Sequence, residues 1–177
     1  MKIIVFDHIL PEAEADFMPD SALLLPGRPM FFPEEGSGWV LEPHVAVRLN
    51  RLGKGVSPRF AHRYYDALTL GLRLTLPGHP APGLLSGMDA SVVCGEWLEP
   101  ERFAELGELT IKDTTLRLPF SPSDIAEAIA AVSRLTTIKM GDIVLLPTVA
   151  PSIAATPRTR LQTETIDGFQ LLNLKIV

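Results

Sequence analysis

Two stretches decide the fold: WVLEPHVAVRLN, residues 39–50, and SPRFAHRYYDALTLGLRLTL, residues 57–76. In the first, Val45, Val47 and Leu49 share one side of an extended chain, and Glu42, His44, Ala46 and Arg48 share the other. That period-two alternation is the mark of a half-buried strand. Pro43 has no N–H to give to a ladder, which places the first part of the strand at an edge or a start. In the second stretch, Ser57 followed by Pro58 is an N-cap and first-turn signal. Phe60, Ala61, Tyr64, Tyr65 and Leu68 then recur at helical spacing, which predicts roughly three turns of helix with Arg59, His62, Arg63 and Asp66 on its outer face. From Ala67 the period changes to two: Leu68, Leu70, Leu72, Leu74 and Leu76 point one way, and Thr69, Gly71, Arg73 and Thr75 the other. The reading is strand, helix, and a second strand running out of the helix.

Outward from this centre the elements are short. Ile3 to Phe6 reads as a buried strand, whereas Pro11 to Gly36, rich in Pro and acids, is expected to hold little regular structure. Pro77 to Gly83 is a turn-rich loop, and Ser91 to Leu98 is expected to be a strand. Glu108–Lys112 and Thr115–Leu118 are expected to pair as a hairpin across Asp113 and Thr114. Ser121, Pro122 and Asp124 open a capped helix whose stripe of Ile125, Ile129 and Val132 carries it to Leu135. Lys139 to Asp142 is a turn. Apolar strands follow at Ile143–Leu146 and Leu171–Val177, with a Pro-interrupted passage between them. The sum is a β-rich α+β domain with two or three short helices.

Composition narrows the function classes. The 177 residues, 46% hydrophobic and 21% charged, make one globular domain over 1–177. The 16 Pro and 13 Gly argue against a helical bundle. Acids outnumber Lys and Arg 21 to 16, a net charge of −5, so there is no electrostatic footprint for nucleic acid or an anionic membrane. One Cys allows no internal disulfide. No apolar run reaches the roughly 20 residues of a membrane span, and the one at the start is too short for a secretory signal. The expected address is the cytoplasm.

The familiar catalytic signatures are absent: no Gly-rich phosphate loop, nucleophile elbow, paired Cys or His-Glu-x-x-His helix. Glu42 and His44, two apart on a strand, leave one face within reach of a single ion, but with no third ligand identified the pattern alone favours a solvated strand edge. His8 beside Asp7, and His79 in its Pro-Gly loop, are possible further ligands and ordinary surface residues otherwise. His62 reads as solvated, and Cys94 as a small core residue rather than a nucleophile. Arg158 and Arg160 would suit an acid, or simply solvent.

Several blocks in order carry a resemblance. They are VRLNRLGKG at 47–55 with RFAHRYYDA at 59–67, FMPDSALL at 17–24, SGMD at 86–89, VSR at 132–134 with IKMGD at 138–142, and DGFQLL at 167–172. Together they resemble the fumarylacetoacetate hydrolase family, most nearly its short, single-domain bacterial members. The resemblance implies a mixed β-roll or sandwich, as a homodimer, with residues 39–177 as the core roll and 1–38 as a shortened N-terminal segment. It implies enzymes that hydrolyse, decarboxylate or isomerise small dicarbonyl and keto acids at a divalent metal.

The departures from the family pattern matter more. The family's Glu-x-Glu metal pair becomes Glu42 and His44, and its later metal Asp falls on Arg73. The Lys before its Gly-x-Asp element is Ser86, with Gly87 and Asp89 retained. Its carboxylate-binding Thr-Gly-Thr-Pro loop is Leu146-Pro-Thr-Val149, in which only Thr148 matches. The lid segment with its catalytic His shrinks to Asp7–Asp16. Glu42, neutral His44 and Arg73 sum to zero charge, and a guanidinium about 4 Å from a dication is repelled by about 8 kcal/mol at an effective dielectric near 20. The expectation is therefore a degenerate site with no metal cofactor. Glu42 would be a vestigial ligand paired with Arg73, and Ser86, Asp89 and Thr148 would be candidates to line a pocket for a small carboxylic or keto acid. Two alternatives keep catalysis. In one, zinc, magnesium or another divalent metal is held by Glu42, His44 and His79; in the other, a metal-free site uses Arg73 as electrophile and His44 as base.

Overall fold

The computed structural model describes residues 1–10, 12–34, 36–111, 114–118, 121–165 and 168–177. The chain opens on β1 (Lys2–His8), whose Ile3 to Phe6 are fully buried, and doubles back as β2 (Glu14–Pro19). β2 corrects the expectation of an irregular acidic segment. Glu14, Asp16 and Met18 alternate with Ala15 and Phe17, and the backbone pairs antiparallel with β1, Val5 opposite Asp16. The two long strands expected from the sequence follow as β3 (Val40–Leu49) and β4 (Tyr65–Thr75), antiparallel and in register from Val40–Thr75 to Arg48–Ala67. Between them the predicted helix is only a six-residue 3₁₀ segment, Pro58–Arg63, with no side-chain bond from Ser57 to cap it. It ends early because Tyr65 enters the β4 ladder opposite Leu49.

The remaining elements are α1 (Pro82–Ser86), β5 (Val92–Cys94), α2 (Pro100–Ala104), β6 (Glu108–Ile111), β7 (Thr114–Arg117), α3 (Pro122–Leu135), β8 (Ile143–Thr148), β9 (Ile153–Ala154), β10 (Arg160–Thr165) and β11 (Gln170–Lys175). The Ser91–Leu98 strand thus shrinks to β5. The loop at Pro77–Gly83 gives way to α1 from Pro82, and the Pro-interrupted passage after β8 contains β9 and β10. The β6–β7 hairpin forms as expected, although Asp113 of its turn lies outside the described residues, as does Asp167 of the closing motif. α3 starts at Ser121, whose Oγ accepts from the Asp124 N–H at 3.4 Å.

The strands form a seven-stranded sheet, in the order β2-β1-β8-β3-β4-β5 with β9 on β3, and a four-stranded sheet, β11-β10-β6-β7. In the larger sheet β1 and β8 are parallel and the other pairs antiparallel. This sheet curls until its edges meet. After β2, Leu23 bridges Val92 of β5, the Leu24 N–H reaches Val92 O at 2.7 Å, and the Ala90 N–H reaches Ser21 O at 2.9 Å. The result is a roll with two environments.

Its inner face packs Ile3, Val5, Met18, Ala22, Ala46, Val92, Ile143 and Leu145 into a small apolar plug. Its outer face merges with α3 and the four-stranded sheet in the main core. Gly95 sits where the two sheets touch, and a Cβ there would lie 2.5 Å from Leu171 O. β3 is therefore not a half-exposed strand. It is interior to the sheet and covered on both faces, and Pro43 is accommodated near its end. No helix of the described residues is long and apolar enough to cross a membrane.

Candidate functional site

Past the apolar plug the inner face turns polar, and four strands contribute. Arg73 of β4 lies directly opposite Glu42 of β3 and is 8% exposed. Its Nη2 donates to Asp16 Oδ2 of β2 at 3.3 Å, and the same oxygen accepts from Ser86 Oγ, at the end of α1, at 3.2 Å. These contacts exist only because the sheet curls, since three strands, β1, β8 and β3, lie between β2 and β4 in its order. Glu42 makes no ion pair with Arg73. The expected pairing is corrected: the guanidinium leans on Asp16, and the Glu42 carboxylate lies toward His44 instead. Burial raises the Glu42 pKa above its ordinary value; Arg73 pulls it down and Asp7 of β1 pushes it further up.

His44 is 1% exposed, not a solvated strand-edge residue. Its Nδ1 lies 2.7 Å from the Leu146 carbonyl of β8, an oxygen that can only accept, so Nδ1 carries the proton. Nε2 is then a bare lone pair, buried, with no hydrogen-bond partner, 4.0 Å from Glu42 Oε2. Burial lowers the His44 pKa to about 4, helped by Arg73 and opposed by the Leu146 bond, so the ring is neutral at pH 7. The polar end of the inner face thus holds a buried guanidinium beside two acceptors, one on a neutral imidazole and one on a carboxylate, and none of them lines a described cleft.

The other candidates from the sequence lie elsewhere. Asp89 is exposed and makes no hydrogen bond or ion pair with a described residue. Thr148 pairs with His44 in the ladder, but it is exposed and lines a separate cleft of about 300 Å³ with His8, Ile9 and Leu10. His79 Nδ1 accepts from the Ala81 N–H of its own loop at 3.1 Å. His8 lies 3.8 Å from Glu14, and His62, Arg158 and Arg160 are exposed. Burial pushes the Cys94 thiol up to about 12, which removes it as a nucleophile. Asp142, matched in the resemblance, is structural: it takes the Lys2 ammonium at 2.7 Å and the Lys139 N–H at 2.8 Å. Sequence reading missed Asp16 and Asp7. Their only signal is alternation within β2 and β1, which assigns them a face but not a partner four strands around a curl.

No protein-family model and no curated protein matches the sequence. Solved structures do match. A Yersinia pestis CO92 protein assigned to the fumarylacetoacetate hydrolase family superposes with a TM-score of 0.81 at 21% identity, over 99% of this chain and 92% of that one. The fold is that of the fumarylacetoacetate hydrolase family. The 2-hydroxyhepta-2,4-diene-1,7-dioate isomerase of Mycobacterium marinum gives a TM-score of 0.81 at 17% identity, over 99% of this chain and 74% of that one. The maleylpyruvate hydrolase of Sphingobium sp. SYK-6, in complex with manganese(II) and pyruvate, gives 0.79 at 18%, over 99% and 70%. Neighbours with this fold are thus hydrolases and isomerases.

A manganese or magnesium ion of the kind this fold family implies does not fit the residues at the corresponding positions. A hard dication wants a near-octahedral set of oxygen donors. Glu42 supplies one carboxylate, His44 one neutral nitrogen, and Arg73 a cation already held by Asp16. Among the described residues no group of three His, Cys, Asp or Glu side chains is placed to hold a metal, so Glu42, His44 and His79 are not assembled into a site.

Proposed function

We propose that this protein keeps the fumarylacetoacetate-hydrolase-like roll without its metal-dependent catalysis. It works instead as a cytoplasmic homodimer that binds a small carboxylic or keto acid at the Arg73 end of the roll. The observation that carries this reading is Arg73: a largely buried guanidinium, fixed by Asp16, faces Glu42 across the ladder where the family pattern has a metal-binding Asp. With only Nη2 of Arg73 engaged by Asp16, the guanidinium retains further N–H donors for a carboxylate. The test is a turnover and binding panel of oxaloacetate, acylpyruvates and fumarylacetoacetate-like compounds, with Mg²⁺, Mn²⁺ or EDTA. The expected result is no metal-dependent turnover and EDTA-insensitive binding that Arg73→Ala removes. Metal-dependent turnover abolished by Glu42→Ala would overturn the reading.

One observation favours a second reading, a remodelled hydrolase, decarboxylase or isomerase acting without a metal. The unpartnered Nε2 of neutral His44 is a base in a site that also contains a cation. Loss of oxaloacetate in the presence of EDTA, abolished by His44→Gln, would establish it.

A further inference from the structure

A second group of charges lies on the four-stranded sheet rather than on the inner face of the roll. A cleft of about 350 Å³ there is lined by Arg158, Thr159, Arg160, Lys175, Ile176 and Val177. Its three cations are exposed, and among the described residues none has a hydrogen bond or an ion pair through its side chain. Although Asp and Glu outnumber Lys and Arg 21 to 16 in the chain, no Asp or Glu lines this cleft. The arrangement costs stability twice. Arg160 of β10 and Lys175 of β11 are direct cross-strand partners, so their like charges leave the same face of the sheet and repel. Arg158 follows Pro157 in the turn before β10 with a φ of +60°, a left-handed conformation that Gly would adopt without strain. That turn is held in place: Thr159 Oγ1 donates to Thr156 O at 2.6 Å, and the Ile176 N–H reaches Thr159 O at 2.8 Å.

We infer that this cleft binds a phosphate group, free or carried by a small organic molecule, with Arg158, Arg160 and Lys175 as its counter-charges. A dianion offsets the cross-strand repulsion that the unliganded protein carries, whereas a monocarboxylate leaves two of the three charges uncompensated. The two guanidiniums supply forked N–H donors that match phosphate oxygens, and Lys175 adds a compact charge. All three side chains reach solvent, so a ligand meets them without opening the fold. The volume falls within the range of small-molecule sites, which leaves room for an organic group beside the phosphate. Glu42, His44 and Arg73 contribute nothing here, so the inference stands independently of the proposed carboxylic-acid site.

The test is calorimetric titration and thermal unfolding of the full chain at pH 8 with inorganic phosphate and with glycerol 3-phosphate, ionic strength being held constant with NaCl. Wild type is expected to bind phosphate saturably and to melt higher in phosphate than in NaCl. Tighter binding of glycerol 3-phosphate than of inorganic phosphate would assign an organic phosphate to the cleft, and equal or weaker binding would assign the free ion; both support the site. Because the cations are kept at a cost, Arg160→Thr and Arg158→Gly are each expected to melt no lower than wild type without ligand. Each is expected to weaken phosphate binding by about fivefold, and the double variant to lose it. Phosphate also stabilises folded proteins generally by exclusion from their surface, so the double variant is the control. An equal rise in melting temperature in wild type and folded double variant, or no saturable binding to wild type, would overturn the inference.

Discussion

The two faces of the seven-stranded sheet are built from the same alternation and do different work. On the outer face Ile4, Phe6, Val45, Val47, Leu68, Leu70, Leu72 and Leu74 run without a polar interruption into a core shared with α3 and the four-stranded sheet. The inner face has far less room, because a small curled sheet encloses few side chains. It fills one end with eight apolar residues and gives the other to Glu42, His44, Arg73 and Asp16. The outer face is designed for burial and the inner face for charge balance. Large-to-small changes should therefore be severe outside, and charge-removing changes that keep shape should be mild inside.

Leu70 and Arg73 set the two extremes. Leu70→Ala empties part of a fully buried position and is expected to cost about 2–5 kcal/mol in urea unfolding at pH 7. Arg73→Met preserves the aliphatic stem and removes a partly desolvated charge, and is expected to change stability by no more than about 1 kcal/mol. Equal losses in the two variants would break the contrast between the faces.

Acid should act on the inner face first. His44 has a folded pKa of about 4 against the ordinary 6.5, so the unfolded chain takes up this proton before the native one does. The contribution is fully present above about pH 6.5 and is lost as pH falls toward 4, about 3 kcal/mol over the window. Glu42 has the opposite sign: its raised pKa lets the folded state keep a proton that the unfolded state gives up, so its term disfavours folding as pH rises. Urea midpoints between pH 4 and 7 check the balance. His44→Leu should flatten the slope if His44 dominates it, and an unchanged slope would assign the acid sensitivity elsewhere.

Asp16 should show the smaller, screened kind of electrostatics. It is the Arg73 partner, yet half of its side chain is in water, so Asp16→Ala is expected to cost about 1 kcal/mol or less, shrinking further in high salt. A salt-independent loss several times larger would mean that the β1–β2 hairpin depends on this contact to stay closed over the roll.

The same contrast explains what could be read before the structure. β3 and β4 were legible with their faces because long alternating runs carry period-two information in every residue, and α3 because its cap and stripe agree. The shared face of Glu42 and His44 on β3 and the face of Arg73 on β4 were legible for that reason, whereas the roll was legible only through the resemblance of several short blocks to a family. The 3₁₀ segment after Ser57 was not, because its helical spacing competes with the Tyr65 ladder, and a strand partner is not visible locally. The Asp16 contact was hidden by the curl of the sheet, a tertiary fact about strands far apart in order. The burial of His44 was hidden too, since an alternating polar face reads as solvent unless the roll is known to close over it.

Cys94 supplies the finest test of that closure, because it sits on the inner face of β5 against the apolar plug and contributes nothing to the charge balance. Burial pushes its thiol up to about 12. At pH 8 the thiolate, the only reactive form, is then about one part in ten thousand. Native protein is expected to alkylate with iodoacetamide orders of magnitude more slowly than the same chain in urea, as followed by intact mass, and Cys94→Ala should leave ligand binding unchanged. β5 is three residues long and stands at the edge where Leu23 and Leu24 close the roll. Rapid native labelling would therefore show that this seam opens. It would also place the opening at the junction that the Asp16 contact spans, where β2 and the residues after it close against β4, α1 and β5.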